Sequence, residues 1–232
     1  MSRSIAVVRW DPSRLIGLSL VLALVVLLVG AARPVAAAGD PVLLVHGYRG
    51  SPASFETMIG RFQAAGRTAL AIDLPSEDNV VNARAIRDFI AAQGWSRADI
   101  VGVSMGGLSS RYFVKELKGT GVIDAYVSLG TPQYGLWSAC ALPSWYGGQM
   151  CPSSGFLNNL NRRDDTKGRV YYTTIFSTTD GVVPVSASRL DGGACFVQVS
   201  GVAHTELDDD EAVFGHVLAA TDDTCTGTFT TL

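Results

Sequence analysis

The chain has 232 residues, with 18 Lys and Arg against 21 Asp and Glu and a net charge of −3. Setting aside the first 38 residues, with their four arginines and one aspartate, leaves 194 residues carrying −6, enough to bury a core and the size of one domain. That balance, with no basic stripe anywhere, speaks against nucleic acid as a partner.

In chain order, Arg3, Arg9 and Arg14 precede an apolar run from Leu15 to Gly30, and "ARPVAAAGD" follows. A basic start, an apolar middle and a small-residue exit read as a secretory signal cleaved after Ala38. The competing reading is an uncleaved membrane anchor, because the run is nearly long enough to span a bilayer. Residues 39–232 are then one exported domain, expected to be a monomer. All four cysteines, Cys140, Cys151, Cys195 and Cys225, fall within it. An even count in an exported chain favours disulfides. Three pairings are open, and pairing neighbours along the chain gives Cys140–Cys151 and Cys195–Cys225, each adding about 3 kcal/mol. No Cys-x-x-Cys occurs, so no metal is expected.

Short β-branched runs recur at "PVLLVHG" (41–47), "TALAIDL" (68–74), "ADIVGVS" (98–104), "AYVSLGTP" (125–132), "VYYTTIFS" (170–177) and "CFVQVSG" (195–201). Several are apolar without alternation, as strands covered on both faces are. Helical stretches at 52–65, 79–93 and 105–118 separate them. In the second, Val81, Ala85, Ile86, Phe89 and Ile90 recur at helical spacing before Gly94, and Gly119 closes the third. Strand and helix in alternation predict an α/β fold: a mostly parallel sheet of about six strands with helices on both faces. The acidic "LDDDEA" (207–212) reads as the solvated start of a further helix. Residues 133–168 break the rhythm, holding Trp137, Trp145, Tyr146, two cysteines and the helical piece "GFLNNLNR". A connection this long suggests function, and its aromatics are candidates for the wall of a substrate cleft.

"DIVGVSMGG" (99–107) ends a strand on Ser104 and surrounds it with glycines. A serine on a sharp strand-to-helix turn has its hydroxyl forced outward in a strained conformation, with Gly102 and Gly106 supplying room: the Gly-x-Ser-x-Gly elbow. Such a serine needs a base, and the base needs an orienting carboxylate, each on a loop after a later strand. His204 follows the strand at 195–201, whereas His216 lies in a helix-like stretch and His46 is upstream. Asp180 follows the strand at 170–177; Asp191, in "RLDGG", competes but reads as a plain turn. The triad predicted is therefore Ser104, Asp180 and His204. The backbone N–H groups of Tyr48 and Met105 are the expected oxyanion donors, with His46 bracing the loop. A neutral imidazole is required, so activity should fall on acidification.

Taken together, "PVLLVHGYRGS", "DIVGVSMGGLSSRYFVKEL", "VSLGTP" and "STTDGVVPVSASRLDG…VQVSGVAHTEL" resemble the α/β-hydrolase superfamily. More narrowly, the chain is similar to the small secreted bacterial lipases of the class 2 lipase family, over residues 40–220. The resemblance implies a carboxylic-ester hydrolase acting on acylglycerols, at a lipid–water interface, with no cofactor. It assigns Ser104 as nucleophile, Asp180 as orienting acid and His204 as base. Acyl transfer to another alcohol, polyester cleavage and a non-catalytic secreted module of the same fold are the alternatives.

Overall fold

A computed structural model describes residues 39–230, so the expected secretory leader lies outside the described residues. Strands β1 (Val42–Val45), β2 (Ala69–Ile72), β3 (Ala98–Val103), β4 (Ile123–Leu129), β5 (Tyr171–Ser177), β6 (Ala194–Val199) and β7 (Thr228–Thr230) form one sheet in the order β2-β1-β3-β4-β5-β6-β7. All pairings are parallel except the last. Each of the six expected strands is present. The seventh, "TFT", is too short to show a period; it pairs antiparallel with β6, where Phe229 faces Cys195, one partner of the Cys195–Cys225 disulfide.

The helices are α1 (Glu56–Ala64), α2 (Asn79–Ala92), α3 (Met105–Glu116), α4 (Gly155–Leu160), α5 (Val185–Ser188) and α6 (Glu211–Ala220). Successive strand residues point to opposite faces, and both faces are dry. Val42, Leu44, Val101 and Val127 pack with Phe55 and with Met58 and Phe62 of α1 and Val213 and Val217 of α6. Leu43, Val45, Ile100 and Tyr126 pack with Ile86 and Ile90 of α2 and Phe113 and Val114 of α3. Burial on both faces explains the unbroken apolar runs, at about 1.5–3 kcal/mol for each large side chain.

Local signals hold with three corrections. Asp78 caps α2 by accepting from the Val80 and Val81 N–H groups, and Gly94 (φ 68) ends it. Val81 itself is 41% exposed; Asn79 and Asn82 are buried in its place. The reason is the partner surface: Asn79 Oδ1 accepts from Ser109 Oγ on α3, so that contact is polar. After α3 the left-handed residue is Lys118 (φ 66) and not Gly119. A Cβ at Gly119 would lie 2.6 Å from Val114 Cα, so glycine serves close packing there. Asp210 caps α6 as a helix start should, but Asp208 is buried and not solvated.

Both expected disulfides are present, Cys140–Cys151 and Cys195–Cys225. The first pins the 133–168 excursion, whose Ala139, Met150, Leu157 and Leu160 form a small core with Met105 and Leu108 of α3.

Candidate active site at the carboxyl edge of the sheet

Ser104 follows β3 directly, with φ 52 and ψ −124, and caps α3. A non-glycine residue in that region is strained and persists only where its surroundings hold it. Here the Ser104 N–H donates to Leu129 O (2.8 Å), and glycines let α3 start against the sheet. A Cβ on Gly102 would stand 2.6 Å from Gly107 Cα, on Gly106 2.3 Å from Val45 O, and on Gly107 2.0 Å from Thr131 Oγ1. The glycine crowding is thus a packing requirement of the elbow.

Asp180, after β5, and His204, after β6, meet across neighbouring strand ends. His204 Nδ1 lies 2.8 Å from Asp180 Oδ2, and the His204 main-chain N–H donates to Asp180 O (3.0 Å). Asp180 Oδ1 accepts from the Val182 (2.9 Å) and Val183 (2.6 Å) N–H groups. Burial pushes the Asp180 carboxyl up, but the bonds from His204, Val183 and Val182 outweigh it and hold the group below the usual aspartate value. An ionised Asp180 accepts the Nδ1–H, which leaves Nε2 free to take a proton. Gly130 (φ 52), after β4, lies beneath the pair: a Cβ there would come 2.8 Å from Asp180 Oδ2 and 3.1 Å from His204 Nδ1. Asp191 is exposed and precedes β6, at the strand's other end, with its N–H on Tyr134 Oη.

The loop after β1 borders Ser104 closely, since a Cβ on Gly47 would lie 3.0 Å from Ser104 Cβ. His46 Nε2 accepts from the Leu74 N–H (3.0 Å), so Nδ1 carries the hydrogen and donates to Gly47 O (3.0 Å). Asp73, 3.7 Å from the same Nε2, is the weaker contact and its side chain is largely exposed. His46 therefore fastens main chain to main chain. Among the described residues the N–H groups of Tyr48 and Met105 have no protein acceptor, and Ser104 Oγ has no hydrogen-bond partner. Unpaired donors at a helix start and a turn suit a developing oxyanion.

Ser104 and His204 open into one cavity of about 350 Å³, lined also by Tyr48, Leu136, Ala139, Leu142 and Met150. Its volume lies at the small end for ligand pockets, and its lining is mainly apolar. The excursion does build this wall, but not through the expected aromatics. Trp137 and Trp145 are 76% and 67% exposed and, like Tyr146, are absent from the lining. Leu136, Ser138 and Ala139 line the cavity while Trp137 among them faces out. The flanking cysteines were the available signal for this wall: Cys140–Cys151 fixes Ala139 and Met150 beside it. At the opposite edge, Asp40, Asp99 and Asp124 bring carboxylate oxygens within 4.8 Å of one another. Arg67 pairs with Asp99, and Arg97 with Asp40 and Asp124, so the group is an ion-pair cluster.

Comparison with known proteins agrees with this fold. The chain is similar in fold to Bacillus licheniformis lipase BlEst2 in mature form (TM-score 0.66, 18% identity, 82% of this chain and 95% of that one). It is also similar to Aspergillus fumigatus lipase B (TM-score 0.70, 18% identity, 86% and 56%) and to the esterase RhEst1 from Rhodococcus sp. ECU1013 (TM-score 0.60, 18% identity, 80% and 91%). The sequence profile described as the alpha/beta hydrolase family matches residues 42–227. A parallel sheet with its strained serine elbow, matched over nearly all of the described residues, makes this chain a member of the α/β-hydrolase family.

Proposed function

We propose that this protein is a secreted serine carboxylic-ester hydrolase of the lipase type, akin to the class 2 lipases, with residues 1–38 removed on export and 39–232 as its catalytic domain. The observation that carries the reading is the 2.8 Å Asp180–His204 bond opening onto the same cavity as Ser104 on its strained turn. The two disulfides suit an exported chain. The apolar cavity wall suits an acyl chain, and fold neighbours named lipase and esterase favour ester substrates.

In this reading His204 Nε2 takes the Ser104 hydroxyl proton as Oγ attacks the ester carbonyl. The Tyr48 and Met105 N–H groups hold the resulting oxyanion. The tetrahedral intermediate collapses, the C–O bond to the alcohol breaks, and His204 returns the proton to the departing alkoxide. Water then gives a proton to His204 while its oxygen attacks the acyl carbon. Collapse releases the carboxylic acid, and Ser104 recovers its proton. Asp180 stays ionised throughout and keeps the imidazole in the useful tautomer.

Labelling with a fluorophosphonate tests this directly. One adduct is expected, on Ser104, and it disappears in Ser104→Ala together with nitrophenyl-ester turnover. An unlabelled Ser104 in folded protein sinks the reading. Product analysis with an added alcohol separates hydrolysis from acyl transfer.

A further inference from the structure

Residues 47–50 form a four-residue turn closed by the Gly50 N–H donating to Gly47 O (3.0 Å). Tyr48 and Arg49 are its central residues. Arg49, third in the turn, has φ 55, where glycine is the usual occupant because a Cβ is crowded there. Something outside the turn must hold an arginine in that conformation. The contact present is Glu77, 28 residues away on the loop between β2 and α2: both its carboxylate oxygens accept from the Arg49 N–H, at 3.0 and 3.2 Å. The same loop also donates from Leu74 N–H to the His46 ring at the start of the turn. Glu77 further pairs its main chain with Tyr146, whose ring packs edge-on against Tyr48 at 5.7 Å between centroids.

We infer that Glu77 is a positioning residue: its carboxylate locks the left-handed Arg49 and thereby aims the neighbouring Tyr48 N–H at the oxyanion. The inference rests on the ester-hydrolase reading and deepens it. Without the carboxylate, Arg49 can relax to negative φ; the 48–49 peptide unit then rotates, and the adjoining Gly47–Tyr48 unit, which carries the Tyr48 N–H, shifts with it. A donor that has turned away is lost to the transition state but hardly to the ground state, whose carbonyl carries little charge. Gln149, which accepts from Asn79 N–H (2.7 Å), anchors the excursion to the first residue of α2 and provides a contrast.

The test compares Glu77→Ala and Glu77→Gln with the unsubstituted chain, following kcat and KM on a nitrophenyl ester, the inhibition constant of an alkyl boronic acid, and the melting temperature. Glu77→Ala should lower kcat about 10- to 100-fold, less than the ~10²–10³ that deleting a donor outright costs. KM should stay within about 2-fold, and boronate affinity should fall in step with kcat. Glu77→Gln keeps one acceptor for the Arg49 N–H and should recover most of the loss. If Glu77→Ala keeps the parental kcat, or if kcat, KM and melting temperature all fail together and Glu77→Gln does not rescue them, the role of Glu77 is overturned. An unsubstituted chain without turnover overturns the ester-hydrolase reading instead, and this role with it.

Discussion

The two edges of the sheet use polar groups in opposite ways. At the amino edge, Arg67 binds Asp99 (2.5 Å), the Asp40 carbonyl (2.6 Å) and the Thr221 hydroxyl (2.9 Å), and Arg97 bridges Asp40 (2.6 Å) and Asp124 (2.5 Å). At the carboxyl edge, a serine hydroxyl and two main-chain N–H groups have no protein partner among the described residues, and Ser104 and Arg49 hold positive φ. Charges that answer one another hold strands together; donors left unanswered beside a cavity are available to a substrate. A dense cluster of charges is therefore a poorer guide to function than a few groups left waiting.

Substitutions that separate catalysis from stability can break this comparison. The largest effect is expected at the carboxyl edge, where Ser104→Ala and Asp180→Asn should each lower kcat on the order of 10⁴-fold or more in assays with a nitrophenyl ester. Asp191→Asn, measured alongside, should stay within about 2-fold; the reverse order would show that the orienting carboxylate is misassigned. At the amino edge, Asp99→Asn leaves Arg67 without its buried counter-charge. Burial pushes the Asp99 carboxyl up to about 7, with the Arg67 charge and hydrogen bond pulling the other way. Breaking the pair should cost roughly 3–5 kcal/mol in urea unfolding, while turnover by the folded fraction stays unchanged. Lost turnover at parental stability would erase the distinction between the edges.

The smallest effect sharpens it. The folded-state pKa of Asp180 lies below its unfolded value, so its charge stabilises the fold above the unfolded value and loses that contribution as pH falls through the folded one. The melting-temperature gap between the parent and Asp180→Asn should be widest near neutral pH and close on strong acidification. A gap that widens in acid would mean the carboxyl is raised, not lowered.

Much of this arrangement is legible along the chain, because the signals are local. An apolar run covered on both faces, a glycine on each side of Ser104 and the chain order of Ser104, Asp180 and His204 need no knowledge of distant contacts. Asp78 and Asp210 as caps are likewise short-range. The cavity wall is less legible, since a short turn sends Trp137 to solvent and its neighbours Leu136 and Ser138 to the cavity, with no periodicity to say which. The burial of Asn79 over Val81 depends on Ser109 of a different helix, and Asn82 donates to Ser76 O in the preceding loop.

The sequence by itself therefore determined the strand order's ingredients, the strained serine turn and the three residues placed after β3, β5 and β6, since each is written within a few residues by packing and backbone sterics. Tertiary structure alone decided which side chains face the cavity, that Gly130 leaves room beneath the Asp180–His204 pair, and that Glu77 reaches the Arg49 amide. Those outcomes come from segments tens of residues apart meeting at one sheet edge, where distance in space carries the physics and distance along the chain conceals it.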